Sequence, residues 1–358
     1  NNMADSQFKT VIKGTQDKCS SCGGHLYFSP EDQALRCESC DGLEKIEINK
    51  NNVKHAYVQS EENKLEHKKY AEENKVFKCV SCGANVVLNK LDVATKCPYC
   101  DSSITIAEDV DIGLKPDSII PFKFGEEKAA ILYKQGLKKK WFLPNVFKKT
   151  PPIDEIKGVY IPCFSFDANS HTTYRGRLAR QHTSTHNGRT HTHTTYFNIS
   201  GTRDFAHHDI LVETSSHIDQ TQFNAIKPYN IKELVVYDDA YIRGYSLEHY
   251  DQLLENCKRV ANTIMENTIK SQILSSYSYS YVDSYTQNVT YSDEKFSYYI
   301  VPTYSVKYKY KDKNYLTFMN GQTGKVGDGL PKSAIKITLF VLMIIAILGA
   351  VIALFYYF

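Results

Sequence analysis

The chain has 358 residues, enough for two or three domains with a sizeable core. Its 43 basic and 40 acidic residues leave a net charge of +3, which argues against a dedicated nucleic-acid binder with its concentrated positive face. Eight of the ten cysteines fall in CxxC pairs, a pattern that excludes the scattered disulfide framework of a secreted protein and points to metal binding in a reducing compartment.

Asn1 and Asn2 precede Met3, which reads as the natural start, and no apolar run of signal length lies between Met3 and Gly14. An internal repeat follows. Cys19, Cys22, Cys37 and Cys40 recur sixty residues later as Cys79, Cys82, Cys97 and Cys100, and both copies read C-x2-C-x14-C-x2-C. Each CxxC turn sets two sulfurs on one side, and a hairpin brings the second turn across to complete a tetrahedron, so each copy reads as a zinc ribbon holding one structural Zn2+. With four thiolates the site is closed, leaving no position for water or substrate, which counts against metal catalysis. Iron can substitute in such a site. Disulfides and a redox CxxC are the rivals.

Residues 59–75, between the copies, are rich in Glu, Lys and Asn without an apolar stripe and read as a solvated helical spacer. Residues 126–141 read as a helix with Ala130, Tyr133, Leu137 and Trp141 on one face, and 158–168 as a buried strand. Residues 172–197, rich in Thr and His, read as exposed strands around Asn187-Gly188. Residues 246–270 read as a long helix capped by Ser246, with a stripe of Leu247, Tyr250, Leu254, Cys257, Ala261, Ile264 and Thr268. Beyond it the period becomes two: Tyr277, Tyr279, Tyr281, Tyr285, Val289 and Tyr291 share one strand face, and Phe296, Tyr298, Ile300, Tyr304, Val306, Tyr308 and Tyr310 that of a second. Lys311-Asp312-Lys313-Asn314 turns into a third strand, with a hairpin signal at Asn320-Gly321. The fold class is α+β with an antiparallel meander.

Residues 337–358 carry no charge, long enough to span a bilayer core, with Lys332 and Lys336 before them and Tyr356 and Tyr357 at the far end. The positive flank places the N-terminal region in the cytoplasm of a single-pass membrane protein. The expected organisation is zinc ribbon 1 over 15–50, a charged helical linker over 51–75, zinc ribbon 2 over 76–107, an α+β cytoplasmic domain over 117–330, and a transmembrane helix over 335–358.

Other candidates read blandly. Lys18, Arg36, Lys78 and Lys96 flank the ligands as a solvated rim. Lys138-Lys139-Lys140-Trp141-Phe142 and Phe147-Lys148-Lys149 could meet nucleic acid or an anionic membrane surface, but read first as a Lys-rich helix end with aromatics in the core. The histidines at 171, 182, 186, 191, 193, 207 and 208 read as a polar strand and loop, although His191 and His193 share a face. Cys163 and Cys257 read as buried thiols. Gly321-Gln322-Thr323-Gly324-Lys325 fails as a phosphate loop, because its glycine spacing is too short and no Ser or Thr follows the lysine. No acid, base and nucleophile set can be named, so an enzyme is not expected.

Cys97-Pro98-Tyr99-Cys100-Asp101-Ser102-Ser103, Gly158-Val159-Tyr160-Ile161-Pro162, Tyr174-Arg175-Gly176, Phe318-Met319-Asn320-Gly321-Gln322-Thr323-Gly324-Lys325 and the apolar tail occur in an order that resembles a bacterial family of membrane-anchored TFIIB-type zinc ribbon-containing proteins. The likeness runs from about Cys79 onward, and Cys163-Phe164-Ser165 and the His/Thr-rich middle depart from it. Members also carry the label of a primosomal replication factor Y-like helicase, yet no Walker motif stands in this chain. Some relatives are encoded beside phage-shock-type coat proteins and flotillin-like scaffold proteins, which implies an adaptor for a membrane-stress protein partner. The alternative is a membrane-tethered nucleic-acid-binding or replication-associated protein. Glu31, Asp32, Glu38, Asp41 and Glu44 in the first ribbon, and Asp92 and Asp101 in the second, favour protein over phosphate. Tyr27, Phe28, Val87 and Leu88 are expected to be exposed along hairpin edges that a partner strand could join.

Overall fold

The computed structural model describes residues 8–12, 18–50, 54–56, 70–89, 97–100, 102, 104–106, 112–149, 153–186, 189–215, 218, 220–311 and 313–357. The fold is α+β. The first ribbon builds its own four-stranded sheet from β1 (Phe8–Ile12), β2 (Leu26–Ser29), β3 (Ala34–Cys37) and β4 (Leu43–Ile46), in the order β1-β4-β3-β2. Next come β5 (His55–Ala56), β6 (Asn74–Cys79), β7 (Asn85–Asn89), β8 (Ile104–Ile106) and β9 (Ser118–Ile119). Helices Glu126–Lys139 and Asn145–Lys149 lead to β10 (Ile153–His186) and β11 (Arg189–Glu213). Helix Gln220–Ile226, β12 (Val235–Val236) and β13 (Ser246–Glu248) precede helix Leu254–Leu274, β14 (Tyr281–Tyr310), β15 (Lys313–Asn320) and helix Ala334–Tyr357.

The body is an eleven-stranded sheet with the path β12-β9-β14-β10-β13-β7-β6-β8, to which β11, β15 and β5 add at β10 or β14. The strands of the second ribbon, β7, β6 and β8, are therefore continuous with the body sheet, whereas the first ribbon stands on a separate sheet. β10 and β14 pair antiparallel from Ile153↔Tyr308 to Ala179↔Tyr281. At 34 residues, β10 has a contour of about 110 Å. Its first half lies in the body with β15 beyond β14; its second half continues as an arm with β11, whose pairing reaches His186↔Arg189 around the expected loop.

Body and arm meet at a belt of bulges. Register slips between Phe166 and Ala168 toward β11 and between Asp167 and Asn169 toward β14, and Asp209 and Asp293 adopt φ of 53° and 51°. An extra residue per strand bends the sheet without ending it. This is why the two tyrosine-rich strands expected over 277–310 are one strand, with Tyr277 and Tyr279 ahead of it. Lys54 pairs with Asp167 and with Asp209 (3.3 Å), and Asn169 Nδ2 donates to Asp293 at 3.0 Å across the same belt.

Helix Leu254–Leu274 lies on the arm. Tyr174, Leu178 and Ile199 pack with Ile269, Ile273 and Leu274 in one cluster, beneath the alternation of buried Thr172 and Tyr174 with exposed Thr173 and Arg175. The expected start of this helix is a correction. Ser246 begins β13, where Leu247 pairs with Tyr160 on one side and Val87 on the other, and the helix starts eight residues later after an uncapped Leu253. Leu247 and Tyr250 mimic a helical stripe, but open edges on β10 and β7 needed a partner, and pairing overrode propensity. The buried helical stripe is Cys257, Ala261, Met265, Ile269 and Ile273, so Thr268 faces solvent.

Helix Glu126–Lys139 buries Ala129, Tyr133 and Leu137 and carries Glu126, Glu127, Lys138 and Lys139 at the ends its dipole favours. It stops before Trp141, which is 67% exposed rather than on the buried stripe. At the centre of the body Phe122 stacks on Tyr245 at 4.3 Å and meets Tyr160 and Tyr304 at 4.9 Å. Gly158 and Gly321 lie against these rings: a Cβ on Gly158 would come 2.3 Å from Tyr245, and one on Gly321 2.5 Å from Phe122.

Candidate metal centres

Each cysteine set converges. The Sγ atoms of Cys19, Cys22, Cys37 and Cys40 lie within 4.8 Å of one another, and so do those of Cys79, Cys82, Cys97 and Cys100. Across the first group Cys19 and Cys40 are 3.7 Å apart and Cys22 and Cys37 3.4 Å; across the second Cys79 and Cys100 are 3.3 Å apart and Cys82 and Cys97 3.6 Å. These separations far exceed a disulfide bond of about 2.05 Å. They approach the edge of about 3.8 Å that four sulfurs have around an ion at about 2.3 Å. The residues therefore fit a four-thiolate metal ion in both places.

The knuckle geometry explains why the sequence folds this way. Gly23 N donates to Cys19 O (2.8 Å) and Cys19 N to Gly24 O (2.8 Å); Gly83 N donates to Cys79 O (3.0 Å) and Cys79 N to Ala84 O (2.8 Å). The tight turn requires a left-handed residue, and Gly23 and Gly83 supply φ of 72° and 81°. Backbone N–H groups of Ser21, Gly24, Ser39 and Tyr99 point at sulfurs at 3.4 Å, where they stabilise thiolate charge. The sixty-residue offset extends to pairing, since Lys18 bridges His25 as Lys78 pairs with Asn85.

The environments differ. Cys22 and Cys40 are exposed, whereas Cys82 and Cys100 are half-buried within the body sheet. Burial carries Cys97 up to about 11. Against burial, which raises it, the Ser102 hydroxyl and backbone N–H draw Cys100 down to about 6. Four thiols at this spacing cannot all ionise without a cation among them.

Each ribbon is docked on the body, and this corrects the expectation of open hairpin edges. Phe28 is buried, its ring 5.3 Å from Tyr241, and its N–H donates to Arg243 O at 3.0 Å, closing the outer edge of β2. At the hairpin tip Gln33 Nε2 donates to Phe122 O (2.8 Å) and Glu31 accepts from Gly125 N (2.7 Å). Val87 is buried where β7 pairs with β13, and Leu88 is half-buried. Tyr99, inside the last knuckle, is fully buried and donates to Glu248, which also accepts from the Ser215 hydroxyl.

The charge inventory changes too. Glu44 is buried and accepts from Ser20 N (2.7 Å) and Oγ (2.8 Å), so it braces the first knuckle rather than facing a ligand. Arg36 is paired with Asp32 at 2.7 Å and Asp41 at 3.7 Å. Lys96, Asp92 and Asp101, and most of the expected spacer, lie outside the described residues; where described, 70–73 is a helical turn and β6 follows at once. Solvent-facing residues at the knuckles include Ser20, Ser21, Glu38, Ser39 and Asp41 in the first ribbon and Val80, 70% exposed, in the second, whose Pro98–Tyr99 turn is buried.

The remaining candidates stay apart. The strand register sets His182 opposite His193, with His191 on the same face, yet among the described residues the two cysteine sets are the groups that could hold a metal ion. His171 pairs with Asp204 at 2.6 Å. Cys163 and Cys257 are buried, and burial pushes both thiols up. The 321–325 segment is a turn held by buried Asn320, whose Oδ1 accepts from Gln322 N (2.8 Å) and Thr323 N (2.9 Å); those donors are not free for phosphate.

Helix Ala334–Tyr357 completes the picture. Its stretch Ala334–Leu354 has a mean hydropathy of 3.1, none of it is buried, and it is long and apolar enough to cross a membrane. The chain is similar to the "Uncharacterized protein YdjG" of Bacillus subtilis (strain 168), with 28% identity over 322 residues, 89% of this chain and 91% of that protein. No family model and no solved structure matches. Neither the TFIIB-type nor the helicase label gains support from this likeness.

Proposed function

We propose that the protein is a non-enzymatic, membrane-anchored adaptor whose two ribbons each hold one structural Zn2+ and whose knuckles recruit a protein partner. The observation that carries this reading is the combination of two closed four-thiolate sets with an apolar helix whose span is left unburied by the body. Four sulfurs leave no open coordination position, which favours a structural over a catalytic ion. A long apolar helix that stays unburied over its span is stable in lipid rather than in water. Lys332 and Lys336 at its start support a single-pass arrangement with the N-terminal region in the cytoplasm, where thiolates stay reduced. A scaffold-type protein is the partner implied by the family resemblance read from the sequence.

With the hairpin edges used internally, recognition falls to the knuckles. The first is rimmed by Glu38 and Asp41, which repel phosphate, while Arg36 is engaged by Asp32. The test is cross-linking and co-purification from a detergent extract with the full chain. Capture should be lost in Glu38→Arg/Asp41→Arg while metal content is retained. Submicromolar DNA binding that falls steeply with salt would replace this reading with the nucleic-acid one.

A further inference from the structure

Among the described residues, the segment after helix Glu126–Lys139 touches the start of the terminal helix. Ser333 N donates to Phe142 O at 2.7 Å, and Lys336 Nζ donates to Leu143 O at 2.7 Å and Trp141 O at 3.4 Å. Trp141 and Phe142 bring their rings to 6.2 and 5.4 Å from that of Phe340. Phe340 lies six residues past Ala334, about 9 Å along the helix axis. The segment after helix Glu126–Lys139 therefore reaches to a depth inside the apolar span.

Water is a poor neighbour for what this segment presents. Trp141 is 67% exposed, Val146 58% and Ile335 74%. Around them stand Lys138 and Lys139, exposed on the last helical turn, Lys148, half-buried, and Lys332, exposed just before the span. Lys140 is held by Asp328 at 2.9 Å. An indole beside a spanning helix at the apolar boundary, ringed by lysines, is the composition of a bilayer interface.

We propose that residues 138–149, with the first turn of the terminal helix, form an interfacial anchor that seats in an anionic phospholipid leaflet and fixes the body against it. This rests on reading the terminal helix as a membrane span. Trp141 and Val146 enter the headgroup–acyl boundary, and Lys138, Lys139, Lys148 and Lys332 meet the phosphates. Each lysine brought to such a surface favours contact about fivefold.

Trp141 is the only tryptophan of the chain, so its emission reports this site alone. The test uses the full chain in vesicles of neutral phosphatidylcholine, with and without phosphatidylglycerol. Expected are a blue-shifted emission, stronger quenching by lipids brominated near the glycerol end of the acyl chain than by aqueous iodide, and a response that grows with phosphatidylglycerol. Lys138→Glu/Lys139→Glu/Lys148→Glu should abolish that growth; the lipid titration of the unaltered chain decides even if the variant fails to fold. Emission of a water-exposed indole, quenched by iodide, or indifference to phosphatidylglycerol, would overturn the anchor. Alkaline carbonate separates the failures: a chain that it strips from vesicles sinks both readings, and one that resists it with Trp141 in water sinks this one alone.

Discussion

Stability should fall as pH rises through neutrality, and Glu248→Gln should remove the fall. Glu248 is fully buried in β13, between β10 of the body and β7 of the second ribbon, with the hydroxyls of Tyr99 and Ser215 on its two oxygens. Burial is the dominant influence and raises its carboxyl from 4.5 to about 7, although both hydroxyls pull it down. Because the folded value lies above the unfolded one, its contribution is fully present below about pH 4.5 and is lost as pH rises through about 7. The difference corresponds to roughly 3 kcal/mol between the two limits. A glutamine keeps the shape, stays neutral, and can both donate to and accept from the two hydroxyls. The assay is thermal unfolding of the metal-loaded full chain in detergent from pH 5 to 8. The unaltered chain should lose several degrees relative to Glu248→Gln across that interval, most of it above pH 6. Parallel pH profiles for the two proteins would refute a carboxyl raised by burial at this junction.

Metal analysis of the reduced, chelator-free protein should give two ions per chain, and Cys79→Ser should leave one, because a structural site with three thiolates loses much of its affinity. Phe28→Ala should destabilise by about 3 kcal/mol or more, since it empties the aromatic contact with Tyr241 that docks the first ribbon; urea unfolding checks this, and a change below about 1 kcal/mol would mean that the ribbon is not seated. The full chain should stay with membranes through high-salt and alkaline washes, and a chain cut after Gly329 should be soluble; release by salt alone would show that helix Ala334–Tyr357 does not span.

The ligand sets were legible because metal geometry is written locally. The CxxC spacing, the glycine at each turn and the fourteen-residue gap follow from closing a tetrahedron across a hairpin, and all eight cysteines converge as the spacing requires. The apolar tail was legible for a similar reason: no packing is needed to interpret it. Long-range pairing was not. Leu247 satisfies a helical stripe and a strand equally well, and nothing near it in the sequence reveals the edges of β10 and β7 that claim it. Asp167, Asp209 and Asp293 lie far apart in the chain, and their common level on three strands emerges from register alone. Glu44 and Tyr99 sat beside ligands in the sequence, but their burial depends on Ser20 and Glu248, which no local pattern ties to them.

On the adaptor reading, the repeat bears on where a partner could dock. Identical ligand spacing fixes two equivalent pairs of knuckles, but residues outside it decide how each ribbon is held. In the second copy Val86 and Val87 pair with Glu248 and Leu247, so β7 enters the body sheet and loses its edge. In the first copy β2 takes one bond from Arg243, and Phe28, Glu31 and Gln33 settle the hairpin on the aromatic centre around Phe122. A partner that added a strand would have to break one of these contacts. Three of the knuckles ask for no such cost: Glu38 and Asp41 in one copy and Val80 in the other remain in solvent, whereas the Pro98–Tyr99 turn is buried in the body. One tip is acidic and the other apolar. Two ribbons with the same metal chemistry thus offer different surfaces, and a partner that needs both must meet them in the arrangement the body imposes.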